Sequence, residues 1–303
     1  MYEITLDMQG GAGGTTHFFE KYGVGFYSDR DCTNKISTIT IPTSIGNTFG
    51  GYWTMPKGTG EEIVSYGGTG TTTPIGQENT YFKSNVVLYA SWGAAEYTIT
   101  FDKQGGTGGT TTATVHYGDT YPMAGAPKRG AYTFMGYYTQ EKGNGTLVYD
   151  MYMNSSQKYT LTTNQTLYAY WVDETAPTIN LLTDYKTWTN KDITLTANAS
   201  DYGSGLSSVH IYLLNDDGSI SASPVASATN LNGVPSTQLE FVNKLEGVIR
   251  YKAIATDMEG HTSESVNVVY YDITPPSGTL ISGGKDGDVF EFEFDITDIN
   301  PGN

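Results

Sequence analysis

The sequence predicts a mainly β chain of small tandem modules, and three observations carry that expectation. Apolar and polar residues alternate over short runs such as Tyr2–Leu6, Tyr97–Phe101 and Ile193–Ala199, the period of a half-buried strand. The chain holds 37 Gly and 24 Tyr, which suits many tight turns between aromatic-rich strands. Two different units each recur, and internal repetition at this spacing marks a modular architecture.

The first unit opens with Tyr2-Glu-Ile-Thr-Leu-Asp-Met-Gln-Gly-Gly-Ala-Gly-Gly-Thr-Thr16, matched by Tyr97-Thr-Ile-Thr-Phe-Asp-Lys-Gln-Gly-Gly-Thr-Gly-Gly-Thr-Thr111. Gly51-Tyr52-Trp53-Thr54 answers Gly136-Tyr137-Tyr138-Thr139, and Leu88-Tyr89-Ala90-Ser91-Trp92 answers Leu167-Tyr168-Ala169-Tyr170-Trp171. The paired glycines supply the positive φ that a hairpin turn requires. Leu88, Ala90 and Trp92 share one face of a closing strand, as do Leu167, Ala169 and Trp171. The first copy reads as longer in its middle, around Asp31–Asn47 and Gly58–Gly76.

This set resembles the internalin B-repeat family, also called the Listeria–Bacteroides repeat. Residues 97–171 follow the family pattern closely; residues 2–92 follow it at both ends. The resemblance implies a small β-grasp-like module of a bacterial surface protein, with no catalytic residues.

The second unit starts at Asp173-Glu-Thr-Ala-Pro177 and again at Asp272-Ile-Thr-Pro-Pro276. Ile193, Leu195, Ala197 and Ala199 alternate ahead of Asp201-Tyr-Gly-Ser-Gly205; Phe290, Phe292, Phe294 and Ile296 alternate ahead of Asp298-Ile-Asn-Pro-Gly302. Further alternating runs at Val209–Leu213, Leu239–Phe241, Ile249–Ala255 and Val266–Tyr270, separated by turns at Asp216-Asp-Gly218 and Glu259-Gly260, suggest a sandwich. The Asp173-x-Thr-Ala-Pro start, the Asp201 loop and Ala255-Thr-Asp-Met-Glu-Gly-His-Thr262 make the unit similar to bacterial immunoglobulin-like domains. The expected organisation is therefore 1–93 and 94–172 as repeat modules, 173–272 as an immunoglobulin-like β-sandwich, and 273–303 as the N-terminal part of an incomplete second sandwich. Some thirty residues are too few for a core of their own, so 280–303 are expected to be poorly ordered or to borrow a neighbouring edge.

Composition narrows the function. A net charge of −16 repels phosphate and anionic surfaces, so neither nucleic acid nor membrane insertion is expected; a soluble monomer is. Cys32 stands alone, excluding an intrachain disulfide and a cysteine-based zinc site. Met1 leads straight into the first strand, so the signal and anchoring segments of an exported protein are expected outside these residues.

No catalytic, cofactor-binding or metal residues are assigned. Gly105-Gly-Thr-Gly-Gly109 lacks the following helix of a nucleotide-binding loop and reads as a turn. His17, His116, His210 and His261 lack partners at metal-ligand spacing and read as surface or edge-strand residues. Glu61-Glu62 and Glu291/Glu293 read as solvated. Asp173, Asp201, Asp257 and Asp272 sit where loops at the sandwich ends could offer oxygens to calcium, but each also reads as capping its own turn. Tyr52/Trp53 and Tyr137/Tyr138 could stack on glycans, but cross-strand packing is the reading preferred. Asn154, Asn164 and Asn198 begin chance glycosylation tripeptides, and Lys191 with Asn267 is a remote isopeptide pair. The function expected is a non-enzymatic stalk or host-binding segment of a cell-surface adhesin, located outside the cell. The alternatives are a direct protein- or glycan-binding module built on the enlarged first repeat, and an accessory spacer of a large secreted enzyme such as a glycosidase.

Overall fold

The computed structural model describes residues 1–67, 70–75, 82–286 and 289–298. The chain is mainly β, with a single 3₁₀ turn at Pro56–Gly58 among the described residues. It divides into two compact units: residues 1–128 with 134–171, and residues 129–133 with 172–303.

The first unit holds two large sheets and a small two-stranded one. One contains β1 (Tyr2–Asp7), β2 (His17–Lys21), β3 (Gly25–Tyr27), β4 (Lys35–Ile36), β6 (Asn47–Met55), β7 (Thr59–Val64) and β9 (Val86–Ala94), in the order β4-β3-β2-β1-β9-β6-β7. A small pair, β5 (Thr38–Thr40) with β8 (Thr72–Pro74), lies apart from it in the hydrogen-bonding pattern. The other sheet contains β10 (Glu96–Asp102), β11 (Thr112–His116), β12 (Thr133–Tyr138), β13 (Leu147–Tyr149) and β14 (Gln165–Val172), in the order β11-β10-β14-β12-β13.

The two sheets share one plan. Opening and closing strands pair in parallel, Leu6 opposite Leu88 in one and Phe101 opposite Leu167 in the other. Both turns after the opening strand are pinned alike. Asp7 accepts the Gln9 N–H and Asp102 accepts the Gln104 N–H, each at 2.9 Å. The indole N–H of Trp92 donates to the Met8 carbonyl at 3.0 Å; that of Trp171 donates to the Lys103 carbonyl at 2.9 Å. Ile4, Leu6, Phe18, Tyr52, Leu88 and Ala90 are buried in the first copy. Ile99, Phe101, Val115, Tyr137, Leu167 and Ala169 are buried in the second. Each large side chain removed from water this way contributes about 1.5–3 kcal/mol.

The hairpin β6–β7 corrects the expected position of one insertion. Lys57 and Lys142 both adopt positive φ, at 62° and 59°, and each precedes a positive-φ glycine, Gly58 and Gly143. The Thr54 hydroxyl accepts the Glu61 N–H as Thr139 accepts that of Thr146, both at 2.9 Å. Residues 58–64 therefore correspond to 143–149 and are not inserted; the extra length begins after Val64. Residues 68, 69 and 76 of the expected insertion lie outside the described residues. Near the other insertion, β3 and β4 extend the sheet beyond β2.

The second unit contains β15 (Thr178–Thr183), β16 (Ile193–Ser200), β17 (Leu206–Leu213), β18 (Ala226–Ala228), β19 (Ser236–Asn243), β20 (Gly247–Asp257), β21 (Thr262–Tyr271), β22 (Ser277–Asp286) and β23 (Val289–Thr297). Strands β15-β16-β19 form one sheet and β18-β17-β20-β21 another. Their alternating faces meet in one core of Leu181, Ile193, Leu195 and Ala197 with Leu206, Val209, Ile211, Tyr251, Ala253 and Val269. The last pair, β22–β23, is a two-stranded sheet of its own. Among the described residues the hairpin pairs with itself and borrows no edge, contrary to one expectation for 280–303; residues 287, 288 and 299–303 lie outside the described residues.

Candidate functional site

Three acids of the second unit, each at or just past the end of a strand, come together in buried surroundings. Asp173 follows β14, Asp201 follows β16, and Asp257 ends β20. The three residues are 1%, 5% and 1% exposed, in surroundings where an isolated carboxylate is strongly disfavoured. One carboxylate oxygen from each lies within 4.8 Å of the others.

The local sequence builds this arrangement. Asp201 accepts the Gly203 N–H at 3.1 Å and the Gly205 N–H at 2.6 Å, so its carboxylate folds the loop around itself. A glycine is required at 205, where φ is +83° and an added Cβ would overlap the Gly233 backbone. Asp173 accepts the Thr175 N–H and hydroxyl at 3.1 and 2.6 Å, and the Ser204 N–H at 2.6 Å. Asp257 accepts the N–H groups of Glu259 and His261 at 2.9 and 2.8 Å, while His261 Nδ1 lies 2.8 Å from its other oxygen.

The electrostatics follow from those donors. Burial alone would raise the Asp173 pKa, but hydrogen bonds from Thr175 and Ser204 outweigh it and hold the group at about 2. Its hydrogen bond to Asp257 raises the His261 pKa, with further help from the nearby negative charges. The trio is thus a set of turn-capping carboxylates, partly balanced by one imidazole. Every one of its six oxygens has a protein donor. Each ionised carboxylate offers about four lone-pair sites, so acceptor capacity remains for a hard cation, which prefers such oxygens.

The structure sorts the remaining candidates. Asp272 stands outside the trio and caps Thr274 N–H at 2.9 Å. His261 is not a simple surface histidine, because it is half-buried against the buried Asp257. His116 faces Asp119 at 3.2 Å and His210 faces Ser227 at 2.9 Å, both with protein partners. His17 faces Thr16 at 3.0 Å. Glu61, Glu62, Glu291 and Glu293 are exposed. Asn267 donates its amide to Leu181 O at 2.9 Å and Lys191 is exposed, so this pair is not placed for an isopeptide. Tyr52 and Tyr137 are fully buried while Trp53 and Tyr138 are half-exposed, as cross-strand packing requires.

Sequence reasoning did not single out Glu20. It is fully buried on β2, accepts Phe82 N–H at 2.7 Å through Oε2, and has no partner for Oε1 among the described residues. Burial raises its pKa. The only sequence signal was Phe18-Phe19-Glu20, a break in the strand's alternation.

Comparison with known families bears on the first unit. The model of the Listeria-Bacteroides repeat domain matches residues 97–170. No curated protein and no solved structure gives a significant match.

Proposed function

We propose that this chain is a non-catalytic structural segment of a bacterial cell-surface protein, a stalk that carries binding functions outward. One observation carries the reading: the same parallel-closed scaffold occurs twice, and a single residue, Ala95, joins β9 of the first copy to β10 of the second. The joint is fastened, since Ala95 N–H donates to Gly46 O at 3.0 Å. A short, hydrogen-bonded junction limits independent motion of successive modules, as a stalk needs. Listeria-Bacteroides repeats are found in surface proteins, which supports an extracellular setting.

Within this reading the repeats at 1–93 and 94–172 are β-grasp-like modules. Residues 173–272 form an immunoglobulin-like sandwich, and 273–303 begin another. Small-angle scattering of the whole chain tests the stalk. A compact globule of this length would have a radius of gyration of about 19 Å; a stalk gives a clearly larger value. A value near the compact one would refute it.

A second reading concerns the buried trio and is favoured by the approach of three carboxylates within 4.8 Å. In it, a hard divalent cation binds among Asp173, Asp201 and Asp257 and stiffens the end of the sandwich. Thermal unfolding in calcium and in chelator tests it. Binding raises the midpoint in calcium, and Asp201→Asn abolishes the rise; identical midpoints leave the trio as turn caps alone.

A further inference from the structure

In the first copy, the side of the sheet facing away from Ile4, Tyr52 and Leu88 carries one row of side chains across four strands. Asp7 on β1 pairs with Tyr89 on β9, Tyr89 with Trp53 on β6, and Trp53 with Glu62 on β7. Tyr89 and Trp53 are half-exposed. Met55 and Val87, one alternation along β6 and β9, are 57% and 43% exposed. Glu3 lies on the same side of β1, two residues from Thr5, the cross-strand partner of Val87. An antiparallel sheet face left to water is ordinarily polar. This one holds four apolar side chains framed by carboxylates. The described part of the extra length after Val64 packs its Tyr66, Ile75 and Phe82 on the opposite, core side.

The second copy shows what the scaffold itself demands at these places. Trp53, Met55, Val87, Glu3 and Glu62 correspond to Tyr138, Gln140, Thr166, Thr98 and Leu147. Tyr138 is also covered: its ring meets that of Tyr170 edge-on at 5.8 Å. Tyr170 lies over Gly143, and in the first copy Ser91 lies over Gly58 in its stead. Trp53 and Tyr89 accordingly contact no other ring among the described residues. The indole is held by its own N–H, which donates to Gly50 O at 3.3 Å. Neither Glu3 nor Glu62 has an ion-pair partner among the described residues. The same fold therefore forms with Gln, Thr and a covered Tyr, and the first copy's Met, Val, open Trp and unpaired Glu are not folding requirements.

We propose that this face of the first copy docks a polypeptide segment that carries arginine or lysine beside apolar residues. Trp and Tyr are enriched among the side chains that dominate protein contacts. Met55 and Val87 extend the apolar area beside them. A guanidinium or ammonium group stacks on the open indole face, because the ring's negative face attracts a cation. Glu3 and Glu62 stand at the two margins of the apolar patch, where their charges complement a basic partner and repel an acidic one. The net charge of −16 adds long-range attraction of the same sign. Strands β9 and β6 lie inside the sheet, between β1 and β7, so the partner meets side chains and not an open strand edge. The inference is independent of the stalk reading: scattering tests the stalk, the titration below tests the face, and either fails without the other.

Fluorescence anisotropy of a labelled synthetic peptide of alternating arginine and valine, titrated with the intact chain at about 50 mM salt, tests this. Saturable binding is expected, weakening several-fold at about 0.5 M salt, while the same peptide with glutamate for arginine does not bind. Trp53→Ala weakens binding about tenfold or more. Met55→Gln with Val87→Thr takes residues that the scaffold already accepts in the second copy, and weakens binding at least about threefold even if Trp53→Ala disturbs the fold. Glu3→Gln with Glu62→Gln weakens it to a similar extent and reduces its salt dependence. Tyr138→Ala, at the equivalent place in the second copy, leaves binding unchanged. Absence of saturable binding overturns the proposal. So does binding indifferent to the Met55 and Val87 exchange, which would reduce it to net charge, or equal loss in Tyr138→Ala. Binding of a neutral oligosaccharide at this face in place of the peptide overturns it as well.

Discussion

Trp171 lies directly over Gly106. A Cβ added to that glycine would stand 2.6 Å from Trp171 Cζ2, with the carbonyls of Lys103 and Lys128 at 3.1 and 3.2 Å. The ring that closes the module and the turn that opens it are thus locked together, and the indole N–H completes the lock on Lys103.

Gly106→Ala is accordingly expected to destabilise the second module by about 1–3 kcal/mol, the range for overpacking a filled site. Gly108→Ala is the control. Gly108 has φ of +69° but open space around its Cβ, so its replacement costs only the left-handed strain of about 1–2 kcal/mol. Urea unfolding of both variants checks the prediction through two differences. Gly106→Ala should alter near-ultraviolet tryptophan signals before unfolding; Gly108→Ala should leave them unchanged.

The two buried tyrosines at equivalent places give a second prediction. Tyr52 and Tyr137 are fully buried, and their hydroxyls have no hydrogen-bond partner among the described residues. Burial, with the nearby Asp7 and Asp102 charges, pushes both phenols up to about 12. Tyr52→Phe and Tyr137→Phe remove an unsatisfied group and are expected to be neutral or stabilising by up to about 1 kcal/mol. Tyr149 is buried too, but its hydroxyl donates to Pro122 O at 2.7 Å. Tyr149→Phe should therefore destabilise by about 1 kcal/mol. Thermal midpoints of the three variants decide it; a loss at Tyr137→Phe equal to that at Tyr149→Phe would refute the assignment.

These tyrosines show how far the sequence could be read. Strand alternation put the rings of Tyr52/Trp53 and of Tyr137/Tyr138 on opposite faces, because successive side chains of a strand alternate, without saying which ring is the core one. It could not show that their hydroxyls lack partners, which depends on distant backbone. The same limit applies to the repeats. The glycine pairs were legible as turns with positive φ, which holds for Gly10 and Gly105. Gly11 and Gly106 lack it and are small because Trp92 and Trp171 lie over them, which spacing alone did not show. Hairpin β6–β7 was not legible either, because Pro56, Glu61 and Glu62 replace Glu141, Thr146 and Leu147 while the positive φ at Lys57 and Lys142 persists. Backbone conformation was retained there without the residue types that usually announce it. Likewise Asp173, Asp201 and Asp257 were visible singly, as turn-forming acids at strand ends. Their convergence arises from sheet packing, and the place of His261 follows from the turn that Asp257 caps.

The trio also sets a pH dependence. Asp173 has a folded pKa of about 2 and an ordinary unfolded value near 3.9. Its contribution is present above about pH 4 and is lost as pH falls toward 2. His261 works in the opposite sense, since its folded pKa is raised. Its contribution is present below about pH 6.5 and is lost as pH rises through the folded value. The second unit is expected to be most stable between those limits. Thermal midpoints measured across the acid and neutral range check this. Asp173→Asn should flatten the acid limb and His261→Gln the neutral limb, each leaving the other in place. A His261→Gln profile that keeps its neutral limb would show that the imidazole's bond to Asp257 carries no charge-dependent stability.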